Sequence, residues 1–405
     1  MPQVATDVSQ QESPMALIRY PFFSHRSQFA PTPTPRPSPQ KPARTVIPIS
    51  SKANTPLPQP SSVPNTNTPV SLQDNFGIAA GGGLSFLSRK DLTARFQVMK
   101  NAGVKWIRFD IDWSLVQKDG PKSYNWAGYD LVVSVAQELG IEPIALLTYT
   151  PTWARTSGCS SNKCAPADPS QFAEFVSLAA KRYAASGVKV WEIWNEENYY
   201  GYWMPTVNMS SYVSLLKASY IAIKNVDPNA TVLTGGLAAV MTGQGNIGEI
   251  DFVKQLYANG AKGYFDGVAV HPYSYPFLPS FNTTGNPWPG MTQMYQIMAN
   301  NGDGQKKIWI TEFGAPTNGP GDMAILGNTK KEGAADHVSE DLQSRILEDA
   351  LAHYKEYAWA GPFLWYSFQD VGTDSSNKEN FFGLVRYDGS KKPAYDALEK
   401  VLNGQ

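Results

Sequence analysis

Two short apolar segments of this chain end abruptly in a carboxylate. One reads Trp191-Glu-Ile-Trp-Asn-Glu-Glu-Asn198 and closes on Glu196. The other reads Ile308-Trp-Ile-Thr-Glu-Phe-Gly314 and closes on Glu312. Two carboxyl groups about 5–5.5 Å apart can hydrolyse a glycosidic bond with retention. One attacks the anomeric carbon. The other protonates the leaving oxygen and then deprotonates water. Taken singly, a glutamate at a strand end is ordinarily a helix cap or a solvated loop residue. Two of them, each ending an apolar strand, point to chemistry.

Such a pair needs a scaffold that brings distant strand ends together. From Phe76 onward, short β-rich runs alternate with helical stretches. This alternation predicts βα units and a parallel sheet. Eight runs stand out: Phe76–Ala80, Lys105–Ile111, Glu142–Thr148, Lys189–Trp194, Thr231–Thr234, Gly267–His271, Lys307–Thr311 and Pro362–Phe368. Helices are predicted over Leu92–Asn101, Ser170–Ala185, Ser210–Asn225 and Ser339–Tyr357. Asp168-Pro169 supplies a cap and a first-turn proline for the second of these. Eight repeats predict an α/β fold of the (β/α)8 TIM-barrel type, whose catalytic groups sit at the C-terminal strand ends. A doubly wound open sheet is the alternative. It ordinarily carries a glycine-rich nucleotide turn, and Ala79-Ala-Gly-Gly-Gly83 lacks the G-x-G-x-x-G spacing. In the barrel, strands four and seven would face each other across the mouth.

The motifs around the two glutamates resemble clan A glycoside hydrolases. Trp194-Asn195-Glu196 is similar to the clan's strand-four motif, and Thr311-Glu312-Phe313-Gly314 to its strand-seven nucleophile motif. The resemblance spans Phe76 to the C-terminus. It implies Glu196 as acid/base, Glu312 as nucleophile and Asn195 as the ligand of the sugar 2-hydroxyl. It also implies Arg108 beside the nucleophile, although an ion pair of Arg108 with Asp110 or Asp112 is equally open. His271 and Tyr273 match the strand-six His-x-Tyr. The tyrosine would bond the nucleophile, and the histidine would orient nucleophile or substrate. Trp365 matches the tryptophan that floors the sugar site. Trp153 is expected either to stack on a sugar or to fill the core. Glu192 lies deeper in strand four than Glu196, and Glu197 points to the other side, where many relatives carry proline. The run Pro151-Thr-Trp-Ala154 and the ending Gly383 to Tyr395 look most like family 39, with family 5 cellulase-like enzymes close behind.

Composition sets the remaining bounds. Lys plus Arg number 34 and Asp plus Glu 35, so no basic excess suggests a nucleic-acid partner. Aromatics make up 12% of the chain, including 11 Trp and 20 Tyr, side chains that suit both a core and sugar stacking. The expected partner is an oligo- or polysaccharide. No cofactor or metal is expected, because His numbers only 4 and no ligand cluster is visible. Cys159 and Cys164 are expected to form a disulfide in an oxidising compartment. The expected location is therefore extracellular or in the cell envelope. Met15 to Phe23 is too short and interrupted to read as a clear signal peptide, and no run is long enough for a membrane span. Residues 1–70 read as a disordered Pro/Ser/Thr-rich tail, and 71–405 as the catalytic domain, a monomer. A catalytically inactive sugar-binding barrel and a metal- or phosphate-using barrel are the rival readings. The sugar and the mode of cleavage are expected to depend on loops such as Thr156–Pro166 and Tyr275–Pro289, and the latter, with Trp288, is the expected wall of an aglycone subsite.

Overall fold

In a computed structural model, residues 70–324 and 335–402 are described. The expected tail over 1–70 lies outside these residues, apart from its last position. Eight parallel strands close into a barrel. They are β1 (Phe76–Ala79), β2 (Trp106–Asp112), β3 (Glu142–Thr148), β4 (Val190–Asn195), β5 (Thr231–Ala238), β6 (Gly267–His271), β7 (Lys307–Phe313) and β8 (Ala360–Tyr366). The ring closes where β1 pairs with β8, Ile78 lying opposite Trp365. A small two-stranded ladder, Asp322–Ala324 with Ala335–Val338, stands apart from it.

Eight main helices wrap the barrel: α1 (Arg89–Asn101), α2 (Ala127–Leu139), α3 (Pro169–Tyr183), α4 (Met209–Lys224), α5 (Glu249–Ala258), α6 (Trp288–Asn300), α7 (Glu340–Tyr354) and α8 (Pro393–Leu402). Their starts are chemically marked. Ser88, Asp168, Asn208 and Ser339 each accept a hydrogen bond from a first-turn amide, which satisfies donors the helix cannot use itself.

The barrel interior is packed. Ala79, Ile144, Val190, Leu233, Ala269, Trp309 and Leu364 form one inner cluster. The larger core lies between sheet and helices. This inner plug leaves room for polar side chains only toward the C-terminal rim, where a barrel places its chemistry.

All eight expected strands are present, and two of them differ most in their limits. β5 continues past Thr234 through Gly235 and Gly236. Both glycines are sterically required: an added Cβ would approach Glu197 Oε2 to 1.9 Å at Gly235 and His271 Nε2 to 2.0 Å at Gly236. β8 begins two residues earlier than expected, at Ala360, because Gly361 lets Trp309 pack against its backbone.

Candidate active site

The site is built on one guanidinium. Arg108, on β2, is 1% exposed. Its Nε and Nη2 donate to the two carboxylate oxygens of Glu192 at 2.8 and 2.9 Å. Nη2 also donates to Asn195 Oδ1 at 2.8 Å, and Nη1 donates to Glu312 Oε1 at 2.6 Å. A planar fork suits this division of labour, since one edge grips a carboxylate and the remaining N–H groups reach elsewhere. Glu192 Oε1 further accepts from Gly236 N at 3.0 Å and Thr311 Oγ1 at 3.3 Å. Arg108 thus pairs with Glu192 and Glu312, not with Asp110 or Asp112. Glu192, expected only to lie deeper in strand four than Glu196, is the buried counter-ion that fixes the cation.

The two strand-end glutamates meet at one imidazole. His271 Nδ1 lies 3.2 Å from Glu196 Oε1 and 3.7 Å from Glu312 Oε2. The carboxyl oxygens are therefore closer together than those two arms laid end to end. Tyr273 donates its hydroxyl to Glu312 Oε2 at 2.8 Å. Burial would push the Glu312 carboxyl up. His271, the charge of Arg108 and the Tyr273 hydroxyl overcome this and hold it below the usual carboxylate range. Burial, with the charge of Glu312 next, pushes the Tyr273 hydroxyl far up, so it stays a donor.

The backbone at the end of β4 is strained. Trp194 and Glu196 both adopt left-handed geometry, with φ of 76° and 52°, a conformation costly for side chains with a Cβ. Surrounding bonds hold it. Glu196 N donates to Gly236 O at 3.0 Å, and Trp194 Nε1 donates to Tyr202 O at 2.7 Å. Asn198 bridges to Ala238 through both its amide and its carbonyl oxygen. This turn presents Glu196 to the cleft and sends Glu197 inward. Glu197 is fully buried, and neither of its oxygens has a hydrogen-bond partner among the described residues. Tyr212 is nearby, but its hydroxyl donates to Ile193 O. Burial raises the Glu197 carboxyl to about 8.

Glu196 and Glu312 open into a cleft of about 1280 Å³. Sites for one drug-sized ligand run to roughly 300–1,000 Å³, so this one has room for more than a single sugar ring. Asn195, Tyr202, Tyr273 and Tyr366 line it, as does much of the loop Tyr275–Pro289. Among the described residues, no group of His, Cys, Asp and Glu could hold a metal ion. No described helix is long and apolar enough to cross a membrane.

Solved and curated proteins share this architecture. The sequence model of glycosyl hydrolase family 14 matches residues 80–202. A β-xylosidase of Caldicellulosiruptor saccharolyticus is 25% identical over 327 residues, 74% of this chain and 61% of that one. Chloroplastic β-amylase 1 of Arabidopsis thaliana is 39% identical over 61 residues, 15% of this chain and 11% of that one. The structure of a family 39 glycoside hydrolase from Bacteroides cellulosilyticus superposes with a TM-score of 0.63 at 24% identity, covering 83% of this chain and 64% of the other. The chain spans less than two thirds of each of these relatives. Its barrel resembles that of these glycoside hydrolases.

Within this barrel, the expectations for Trp365 and Trp288 need correction, and the two alternatives for Trp153 are decided. Trp365 does not floor the cleft. It is fully buried, its Nε1 donates to Phe382 O, and its ring meets Phe313 edge-on. Leu364 points into the barrel, so strand alternation sends Trp365 outward and returns Tyr366 to the inner side. Trp153 packs against the core and does not line the cleft. Its ring packs edge-on to Trp113 and its Nε1 donates to Gln117 O. Trp288 is likewise fully buried against Phe313, although its loop neighbours do line the cleft. The loop Thr156–Pro166 is not a cleft wall. It holds the Cys159–Cys164 disulfide and stands behind Tyr149, with Lys163 over the tyrosine ring.

Proposed function

We propose that this protein is a retaining glycoside hydrolase acting on an oligo- or polysaccharide, with Glu312 as nucleophile and Glu196 as acid/base. The observation that carries this reading is the unequal environment of the two carboxyls. Glu312 is held by Arg108, Tyr273 and His271, all of which favour its anion. Glu196 shares only the imidazole and opens to the cleft. Such a division separates a nucleophile from a proton carrier.

In the first step a Glu312 oxygen attacks the anomeric carbon and the bond to the leaving oxygen breaks. Glu196 delivers its proton to that oxygen. In the second step Glu196 takes a proton from water, which attacks the same carbon and releases Glu312. Asn195 supports both steps. Because Arg108 holds its Oδ1, its amide N–H groups remain to donate to the 2-hydroxyl. The inactive sugar-binding alternative lacks support, since both carboxyls face one cleft. We place the chain nearest family 39, on its sequence ending and on the barrel likeness. We also place it outside the cytoplasm, a reading supported by the disulfide.

The test is covalent. A 2-fluoro glycoside should label Glu312, and Glu312→Gln should abolish turnover while a 2-fluoro label no longer forms. Labelling of another residue, or release of product with inverted configuration, overturns the assignment.

A further inference from the structure

One corner of the cleft is not used by the double displacement. It lies at the ends of β1, β2 and β3. Asp110 stands two residues beyond Arg108, on the same side of β2 and nearer the rim. Its carboxylate lines the cleft, and it makes no hydrogen bond or ion pair with any described residue. Tyr149, just after β3, lines the same corner and is only 7% exposed, yet its hydroxyl also has no partner among the described residues. Gly81 and Gly82 form the adjacent rim. A Cβ at Gly82 would lie 3.5 Å from Asp110 Oδ2, and at Gly81 it would meet nothing.

This corner is rigid. Tyr149 is held in left-handed geometry, φ 60°. The next residue, Thr150, donates its N–H to Asn162 O at 2.9 Å and its hydroxyl to Cys164 O at 2.7 Å. The disulfide loop therefore fixes Tyr149 from behind. It also sets Lys163 Nζ 2.8 Å from the centre of the Tyr149 ring. Burial pushes the Asp110 carboxyl up to about 6, against the charges of Arg108 and Lys163. At neutral pH it is an anion.

A largely desolvated carboxylate without donors is costly unless a ligand provides them. An ionised carboxylate only accepts, through two neighbouring oxygens. Its best neutral complement is a pair of adjacent hydroxyls. A uronate would be repelled by Asp110. The anomeric carbon belongs near Glu312 and the 2-hydroxyl near Asn195. The hydroxyls left to reach β2 and β3 are then those at positions 3 and 4.

We propose that Asp110 and Tyr149 determine specificity by gripping the 3,4-diol of a neutral sugar on the glycone side. The substrate class is then a glycan whose glycone unit carries both hydroxyls unsubstituted. This rests on the glycosidase reading above.

The experiment screens aryl glycosides of xylose, glucose, galactose, arabinose and mannose, and takes the fastest as parent. Wild type, Asp110→Asn and Tyr149→Phe are then compared on the parent and on its 3-deoxy and 4-deoxy analogues. Wild type should lose 100-fold or more in kcat/KM on each deoxy analogue. D110N should lose a similar factor on the parent, yet barely distinguish parent from deoxy. Y149F should lose about tenfold. A D110N enzyme that discriminates the deoxy analogues as wild type does overturns the proposal, because a merely structural Asp110 would not erase that difference. Calorimetry of the free parent sugar, or of the five free sugars where no glycoside turns over, provides the second measurement, in Glu312→Gln with and without D110N. At least tenfold weaker binding supports the proposal, and equal binding or no binding to Glu312→Gln overturns it. Absence of turnover and of a 2-fluoro label, with Asp110-dependent sugar binding intact, defeats the catalytic reading alone.

Discussion

Gly236 makes room for His271. A methyl group at this position would fall 2.0 Å from the imidazole Nε2 and 2.5 Å from Cδ2. The backbone of β5 is therefore cut away where the imidazole must lie to reach both carboxyls. His271 Nε2 has no hydrogen-bond partner among the described residues, so packing rather than bonding fixes that side of the ring.

Gly236→Ala should therefore act as an active-site mutation although it changes no catalytic group. The ring must leave its place between Glu196 and Glu312, and a misplacement of about 1 Å can cost on the order of 10²-fold in rate. The expected result is a fall of that size in kcat with circular dichroism unchanged. Wild-type kcat in a folded G236A enzyme would remove His271 from the mechanism.

The acid limb of activity should respond to the groups around Glu312. Its carboxyl is lowered by the charges of His271 and Arg108 and by the Tyr273 hydroxyl, against burial. Removing a group that favours the anion raises its pKa, so less nucleophile is ionised at low pH. Tyr273→Phe should move the acid limb of kcat/KM to higher pH and lower kcat about 10–100-fold. Arg108→Met should move it further. It should also destabilise the fold by roughly 3–5 kcal/mol, because Glu192 would be left buried and unpaired. A pH–rate profile of Y273F that superposes on wild type would contradict this.

Glu197 should make stability fall as pH rises. Its folded-state carboxyl is raised to about 8, first by burial and then by the charges of Glu192 and Glu196. The folded chain therefore holds a proton that the unfolded chain releases above roughly pH 4.3. Stability from this group is complete below that range and is lost progressively up to about pH 8. Glu197→Gln should be close to neutral at pH 5 and melt a few degrees above wild type at pH 8, read by calorimetry. A constant difference across that range would show that the buried carboxyl does not titrate as described.

The disulfide should matter modestly to stability and more to the corner it supports. Cys159 and Cys164 are five positions apart, and closing so short a loop contributes only about 2 kcal/mol. Replacing both by serine should lower the melting temperature by a few degrees. It should raise KM more than it lowers kcat, since Thr150 and Lys163 lose their anchor while Arg108, Glu196 and Glu312 do not. An equal loss in both parameters would contradict that division.

Much of this was legible in the chain itself. Apolar runs that end in charge located Glu196 and Glu312, and the alternation of strand and helix gave the barrel. The Arg108 ambiguity could not be settled from spacing. Its neighbours Asp110 and Asp112 are close in sequence, whereas Glu192 and Glu312 lie 84 and 204 positions away. β5 was read short because glycines weaken a strand on their own, and their use emerges only when Glu197 and His271 pack against them. Trp365 was misplaced because its motif outweighed its parity. Counting alternate residues from Leu364 would have put Tyr366 at the cleft instead. Trp153 and Trp288 show the same limit, since an indole beside a strand end reads alike whether it faces a sugar or the core. Asp110 and Tyr149 carried no signal beyond position, because the partners they lack are not part of the chain.

The closing pair of strands also sets an order of events. β1 is the first strand of the ring to be synthesised and β8 the last, yet they are neighbours. A growing chain on the ribosome can join Arg108 to Glu192 early, because they lie on the second and fourth strands of the ring. That contact keeps the guanidinium occupied while Glu312 is still unmade. The barrel mouth is then completed only when β8 has emerged and shuts the ring, so a prematurely released chain ending before β8 would hold both carboxylates without a closed mouth.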